Sequence, residues 1–317
     1  MQALIWDGAQ LRFVTDAPAP RAQPDSVLVR VRLAGICSTD LQILRGYMGF
    51  RGILGHEFVG EVIAGPEELR GRRVVGEINF ACGRCVACQA GRQRHCPQRS
   101  VMGILGADGA FAEVLRVPLA NVHLVPDAID DVRASFVEPV AAAIEAAVQT
   151  KSFAGGRSLV LGAGKLGLLV AQVLAARGDD VRVVCRNPRA SNIVESLGLT
   201  PVAPPSAPRG CDLVVDATGD AQGLATALAC VRPLGAIVMK STIARRHELD
   251  LSTLVINEVS LIGSRCGAFA PAIVALSDER LRVEPLLDEI RPLSEGLAAF
   301  ERAGRPGALK LLLKPEV

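Results

Sequence analysis

Polar and apolar residues alternate in short runs through the first 125 or so residues. Residues 27–33 (VLVRVRL), 57–63, 73–77 and 112–117 carry period-two patterns bounded by Gly and Pro, and helical spacing is scarce. This predicts a β-rich domain, a twisted and partly open barrel, closed by residues 121–127 (NVHLVPD). His123 lies in that alternating stretch and reads as a tolerated strand residue. An Ala-rich helix follows Ser135 and runs through Ala147. From residue 157 the period changes. Apolar strands at 158–161, 181–184, 211–216, 235–239 and 259–263 alternate with helical segments at 165–176 and 224–231, the pattern of a doubly wound parallel sheet. Residues 264–267 mark a return to the first domain, and the tail ends in helices and a last strand at 309–313. The length of 317 residues suits two domains. The expected division is 1–127 with 266–317 for the β-rich domain and 128–265 for the parallel α/β domain.

Composition narrows the partners. The formal net charge is +2, and the arginines are scattered, which gives no electrostatic reason to expect nucleic acid or an anionic membrane surface. The most apolar stretch, 159–176, is broken by Lys165, Gln172 and several glycines, so it is no membrane span. Met1 leads directly into a strand-like run without a basic leader. A soluble cytoplasmic protein with a small-molecule substrate is expected.

Nine cysteines, an odd number, argue against a pure disulfide framework. Cys82, Cys85, Cys88 and Cys96 are spaced C-x2-C-x2-C-x7-C. Four thiolates folded around one ion complete a closed, structural zinc site. An iron–sulfur cluster of the ferredoxin type would place three residues before the last cysteine, and here there are seven. A second constellation comes from two short segments, Gly35-Ile36-Cys37-Ser38-Thr39-Asp40 and Gly55-His56-Glu57. Thiolate, imidazole and carboxylate are the donors zinc takes, and a catalytic site keeps one position open. His56 is one of only four histidines in the chain.

Gly162-Ala163-Gly164-Lys165-Leu166-Gly167 stands between a predicted strand and a predicted helix, which points to a dinucleotide site rather than a tight glycine turn without ligand. Its glycines permit the tight turn, and the helix amino terminus faces the pyrophosphate. An NAD site has Asp or Glu at the end of the next strand to bond the ribose hydroxyls. This chain has Cys185 there, followed by Arg186. No carboxylate opposes a 2′-phosphate and a guanidinium is at hand to bind one, so NADP is expected over NAD. Thr218, Gly219 and Lys240 fall at carboxyl ends of later strands, where cofactors bind in such sheets.

The series G-I-C-S-T-D, G-H-E-F-V-G-E-V, the four-cysteine lobe with its seven-residue gap, V-E-P at 137–139 and G-A-G-K-L-G resembles the zinc-dependent alcohol and polyol dehydrogenases of the medium-chain dehydrogenase/reductase superfamily. The resemblance runs through nearly the whole chain. It implies a GroES-like catalytic domain, a Rossmann cofactor domain and two zinc ions, one catalytic and one structural. It further implies that Cys37 and His56 hold the catalytic zinc, with Glu57 or Glu138 as a further ligand, the choice left open. Thr39 then hands on the alcohol proton, and Asp40 orients His56 from behind. Because V-E-P marks the polyol and sugar dehydrogenases, such substrates stand ahead of simple alcohols. Lys310 takes the place of a basic residue near the pyrophosphate, and the strand at 259–263 implies a homodimer or homotetramer. Two departures stand out. Gln42 replaces a relay histidine and cannot accept a proton at neutral pH. Only eighteen residues separate Cys37 from His56, so the substrate lobe is trimmed. The competing readings are a zinc-free enone or quinone reductase of the same superfamily, which lacks both cysteine constellations, and a non-catalytic NADP-binding protein, favoured only by Gln42.

Overall fold

The alternating runs of the amino-terminal part pair as antiparallel strands in the computed structural model, which describes residues 1–241 and 251–316. Ser26–Gly35 is the central strand. Glu57–Ala64 pairs along one side of it, and Val114–Pro118 and Lys310–Lys314 share the other. Arg73–Gly76 and then Val122–Leu124 extend the first side, while Leu287–Pro292 lies parallel to Lys310–Lys314. Period two sets the faces, because successive side chains point to opposite sides of a strand. Val27, Val29, Val31 and Leu33 are buried, and Arg30 and Arg32 are exposed.

Six described strands form the parallel sheet, in the spatial order Thr200–Val202, Asp180–Val184, Arg157–Leu161, Cys211–Asp216, Val231–Met239, Ser260–Gly263. In sequence terms this is the order 3-2-1-4-5-6, which reverses beside the first strand and opens a ligand crevice at the carboxyl ends. Leu159, Leu161, Val214 and Ile237 from the strands pack with Leu224 and Ala227 of the Gly223–Cys230 helix in its core. Cys211 and Cys230 belong to the same core.

The chain divides into two compact units, Met1–Glu138 with Leu287–Val317, and Pro139–Leu286. Both borders lie later than the expected 127 and 265. At the first, the short helix Asp131–Ala134 packs on Ser26–Gly35 and Glu57–Ala64. Asp131 there receives Arg32 at 2.9 Å and Arg73 at 3.0 Å. At the second, Gln172 clasps the backbone of Arg282, donating to its carbonyl at 3.1 Å and accepting from its N–H at 2.8 Å. Gly267 lies so close to the Ala141 backbone that a side chain would not fit. These contacts keep residues 266–286 with the parallel sheet. No helix among the described residues is long and apolar enough to cross a membrane.

Candidate active site and cofactor edge

Cys37 ends the central strand's connection and begins the helix Ser38–Ile43 as its N-cap. The backbone N–H of Cys37 donates to Asp40 Oδ2 at 2.8 Å, closing the carboxylate half of a capping box. The other oxygen, Asp40 Oδ1, faces His56 Nδ1 at 3.3 Å, and neither atom has another hydrogen-bond partner. Asp40 is fully buried and His56 is 3% exposed. One carboxylate therefore fixes both segments, the cysteine through its backbone and the histidine through its ring. Burial works against a charged imidazole, but Asp40 and Cys37 outweigh it and raise His56 well above its ordinary pKa. Thr39 is half-buried, with its hydroxyl 3.8 Å from the Cys37 sulfur.

Donor atoms of Cys37, His56 and Glu57 all lie within 4.8 Å of one another. This soft–borderline–hard set, one ligand atom from each residue around a common point, fits a zinc ion. Glu138 is not among those three; it sits in the first turn of Val137–Gln149, and its charge acts on Lys310.

Lys310 corrects the expectation that it faces a pyrophosphate. Its ammonium forms a buried ion pair with Glu57, both residues being 1% exposed, and stands 5.7 Å over the Phe136 ring. Burial would lower its pKa, but Glu57 and, behind it, Cys37 and Glu138 hold the ammonium above the ordinary lysine value. Gly35 makes the room, since a Cβ there would strike the Glu57 carboxylate and crowd the Lys310 stem at 3.3 Å. Neither Gly35 nor Lys310 can be found as a site residue from local pattern. The only available signal is a lysine at each end of an apolar Leu311–Leu313 run.

The four cysteines of the lobe converge. Sulfur–sulfur distances are 3.5 Å (Cys85–Cys88), 3.6 Å (Cys82–Cys96), 3.8 Å (Cys85–Cys96) and 4.0 Å (Cys82–Cys88). A zinc–sulfur bond of about 2.3 Å gives tetrahedral edges of about 3.8 Å, so the set fits one ion with no rearrangement. Backbone N–H groups of Arg84 and Cys85 lower the Cys82 thiol to about 6. Burial and the neighbouring sulfurs push Cys88 up to about 12.

In the parallel sheet, strand register gathers the predicted cofactor residues at one edge. Leu161 aligns with Val184 and with Asp216, and Asp216 with Met239. Gly162, Cys185, Ala217 and Lys240 thus leave the sheet side by side, with Thr218 one residue further on. Gly162 has φ +103°, and a Cβ on it would lie 2.7 Å from the Ala217 carbonyl oxygen. Gly167 packs directly on the Gly162 carbonyl, whereas beside Gly164, the N-cap of Lys165–Ala176, there is open space. That is the division of labour a dinucleotide turn needs: glycines for close packing and an open helix amino terminus for the ligand. Lys165 is buried and Leu166 half-buried in the first turn.

Cys185 is buried, its thiol pointing to the Val183 carbonyl at 3.5 Å, and burial raises its pKa. Arg186 is exposed, between the strand end and Asn187, which caps the helix Pro188–Ser196. Thr218 turns its hydroxyl onto Asp216 at 2.7 Å, and the Gly219 N–H donates to Ser241 at 2.8 Å. Lys240 is directed inward, with its ammonium donating to the carbonyls of Ala142 and Arg265 and to Ser264. Away from both sites, His123 lies 3.3 Å from Glu77 on an edge strand.

Comparison with known proteins matches both units. Residues 23–127 match the family model for the alcohol dehydrogenase GroES-like domain, and residues 166–279 match that for the zinc-binding dehydrogenase. L-Threonine 3-dehydrogenase of Streptomyces avermitilis is 38% identical over 56% of this chain and 55% of its own length. Sorbitol dehydrogenase of Bacillus subtilis is 27% identical over 96% of this chain and 93% of its own. A solved zinc-binding dehydrogenase from Sinorhizobium meliloti 1021, bound to NADP, superposes with a TM-score of 0.88 at 27% identity, covering 99% of each chain.

Proposed function

The chain belongs to the zinc-type alcohol and polyol dehydrogenases of the medium-chain dehydrogenase/reductase superfamily, and from that premise we propose how its residues divide the work of moving a hydride between an alcohol and a nicotinamide cofactor. Cys37 and His56, with Glu57 or Glu138, would hold the catalytic metal. Cys82, Cys85, Cys88 and Cys96 would hold a structural one. When bound, the metal supplies Lewis-acid polarisation of the substrate oxygen and the nicotinamide ring supplies the hydride chemistry.

The chain's own groups do the rest. Asp40 holds the Cys37 backbone and the His56 ring in one geometry, which sets ring orientation and imidazole basicity. Thr39 accepts the hydrogen bond of the substrate hydroxyl and passes its proton outward. Gln42 can relay that hydrogen bond but not keep the proton, so the proton leaves through another group or directly to water. Lys310 pairs with Glu57, which gives this buried carboxylate a positive partner beside Cys37 and His56.

The observation that carries this reading is the single buried carboxylate of Asp40, shared between the two segments that supply thiolate and imidazole. Polyol or sugar-like substrates are favoured by Glu138 in V-E-P and by the sorbitol dehydrogenase relative. NADP is favoured by the buried neutral Cys185 and the exposed Arg186. A homodimer is favoured by the edge strand Ser260–Gly263 and the exposed Leu234, Val255, Ile256 and Leu261 around it.

The test is absorbance of the reduced cofactor across a panel of polyols, sugar acids and simple alcohols, together with metal analysis. Zinc-dependent turnover that disappears in Cys37→Ser is the expected result. Turnover that survives both chelation and Cys37→Ser would place the chemistry elsewhere.

A further inference from the structure

Asp216 is the last residue of the strand Cys211–Asp216, wholly buried, and no part of the dinucleotide fingerprint. Its Oδ1 accepts the Thr218 N–H at 2.9 Å and the Thr218 hydroxyl at 2.7 Å. Ser241, on the next segment, reaches the Asp216 carbonyl and Oδ1 at 3.4 Å and itself accepts the Gly219 N–H at 2.8 Å. The Asp216 carbonyl also accepts the Lys240 N–H at 2.9 Å. One carboxylate thereby ties the Thr218–Gly219 turn to the segment that leaves the neighbouring strand.

Two features show that this carboxylate is kept for more than packing. Its Oδ2 is buried without a hydrogen-bond partner, which costs stability that an apolar side chain would not. Gly223 approaches so closely that a Cβ there would strike both carboxylate oxygens and the Thr218 hydroxyl, so the following helix is glycine at the point of contact. The turn it fixes lies against the cofactor glycines. The Ala217 carbonyl and Thr218 Cα bound the space at Gly162 at 2.7 and 3.1 Å, and Ala217 Cβ bounds Gly167 at 3.4 Å. Gly219 is held at φ +67° with open space beside it.

We propose that Asp216 is a positioning residue for the dinucleotide, acting through Oδ1 to hold the Thr218–Gly219 turn as one wall of the cofactor edge. This rests on the dinucleotide reading of Gly162–Gly167. Only one acceptor oxygen is required, so an amide can replace the carboxylate whereas an apolar side chain cannot.

The experiment titrates NADPH and NADH into the full-length protein, read by the fluorescence of the reduced cofactor, with steady-state kinetics alongside. Asp216→Val should weaken cofactor binding about tenfold or more. The cofactor KM should rise with it, while kcat at saturating cofactor and the KM for alcohol move less than twofold. Asp216→Asn should bind within about threefold of wild type, and this rescue separates turn positioning from a requirement for charge. Ser241→Ala, which removes only the acceptor for Gly219, should weaken binding about threefold and serves if Asp216→Val does not fold. Unchanged binding in Asp216→Val or, failing that, in Ser241→Ala overturns the inference, as does an Asn variant as weak as Val. Failure of the wild type to bind either cofactor overturns the dinucleotide reading and this role with it.

Discussion

Replacing Lys310 with methionine removes one charge from a pair with no access to water. Lys310 and Glu57 are each 1% exposed, so the remaining carboxylate cannot recruit solvent to replace its partner. Breaking a buried pair from one side costs about 3–5 kcal/mol, most of it the desolvated charge left behind. At about 2–4 °C per kcal/mol for a domain of 150–250 residues, the unfolding midpoint should drop by roughly 6–20 °C. The double variant Lys310→Met/Glu57→Gln removes both charges and should recover most of that loss, because the cost lies in the orphaned charge rather than in missing contacts. Metal sharpens the test. In chelated protein the single variant should show the full loss, and zinc loading should reduce it, since a cation among Cys37, His56 and Glu57 offers the carboxylate another positive neighbour. The pH dependence has a definite sign. A lysine held above its ordinary pKa contributes stability in full below that ordinary value and loses it only as pH rises through the raised one. The wild type should therefore keep this contribution undiminished between pH 6 and 9. Calorimetry or circular dichroism melts give the midpoints. A single variant that melts within a degree of wild type, or a double variant no better than the single, would refute the reasoning.

Metal analysis of fully loaded protein should find two zinc ions per chain; Cys96→Ser should lose one and lower the melting temperature, whereas Cys37→Ser should spare the fold and abolish turnover. NADP should exceed NAD in kcat/KM, and Arg186→Ala should lower NADP affinity about ten- to a hundredfold, the equivalent of a charge-assisted contact of about 1.5–3 kcal/mol; equal use of both cofactors by the wild type would remove the basis for that role. Light scattering at micromolar concentration should give a dimer or a larger even assembly, and Leu261→Glu on the edge strand should dissociate it.

Where chemistry and chain are both local, the sequence was a sufficient guide. The four-cysteine lobe spans fifteen positions, so its spacing alone brings the sulfurs near tetrahedral edges. The parallel sheet was readable because strand and helix periods alternate, and its register then carries Gly162, Cys185 and Thr218 to one edge without further information. The domain borders were not readable to the same degree. What retains Asp131–Ala134 and residues 266–286 in their units is side-chain clasping by Arg32, Arg73 and Gln172, which leaves no periodic trace.

Lys310 shows why a buried charge resists reading more than a buried leucine does. In the strand Lys310–Lys314, period two places both lysines on one face, yet Lys310 is buried and Lys314 exposed. Pattern treats the two alike because the difference arises outside the strand. Lys310 meets a carboxylate 253 positions earlier in the sequence, in a space that exists because Gly35 has no side chain. An apolar side chain can be buried against almost any other, so its placement follows from spacing. An ammonium can be buried only where one particular anion waits, and no single-sequence regularity names that anion. Asp40 is the intermediate case. Its bond to the Cys37 backbone three positions away is local, but the choice of His56 as its second partner depends on how two strands bring separate segments together. The parts of this candidate site that local pattern leaves open are thus the non-local charge pairings, and Lys310→Met probes the deepest of them.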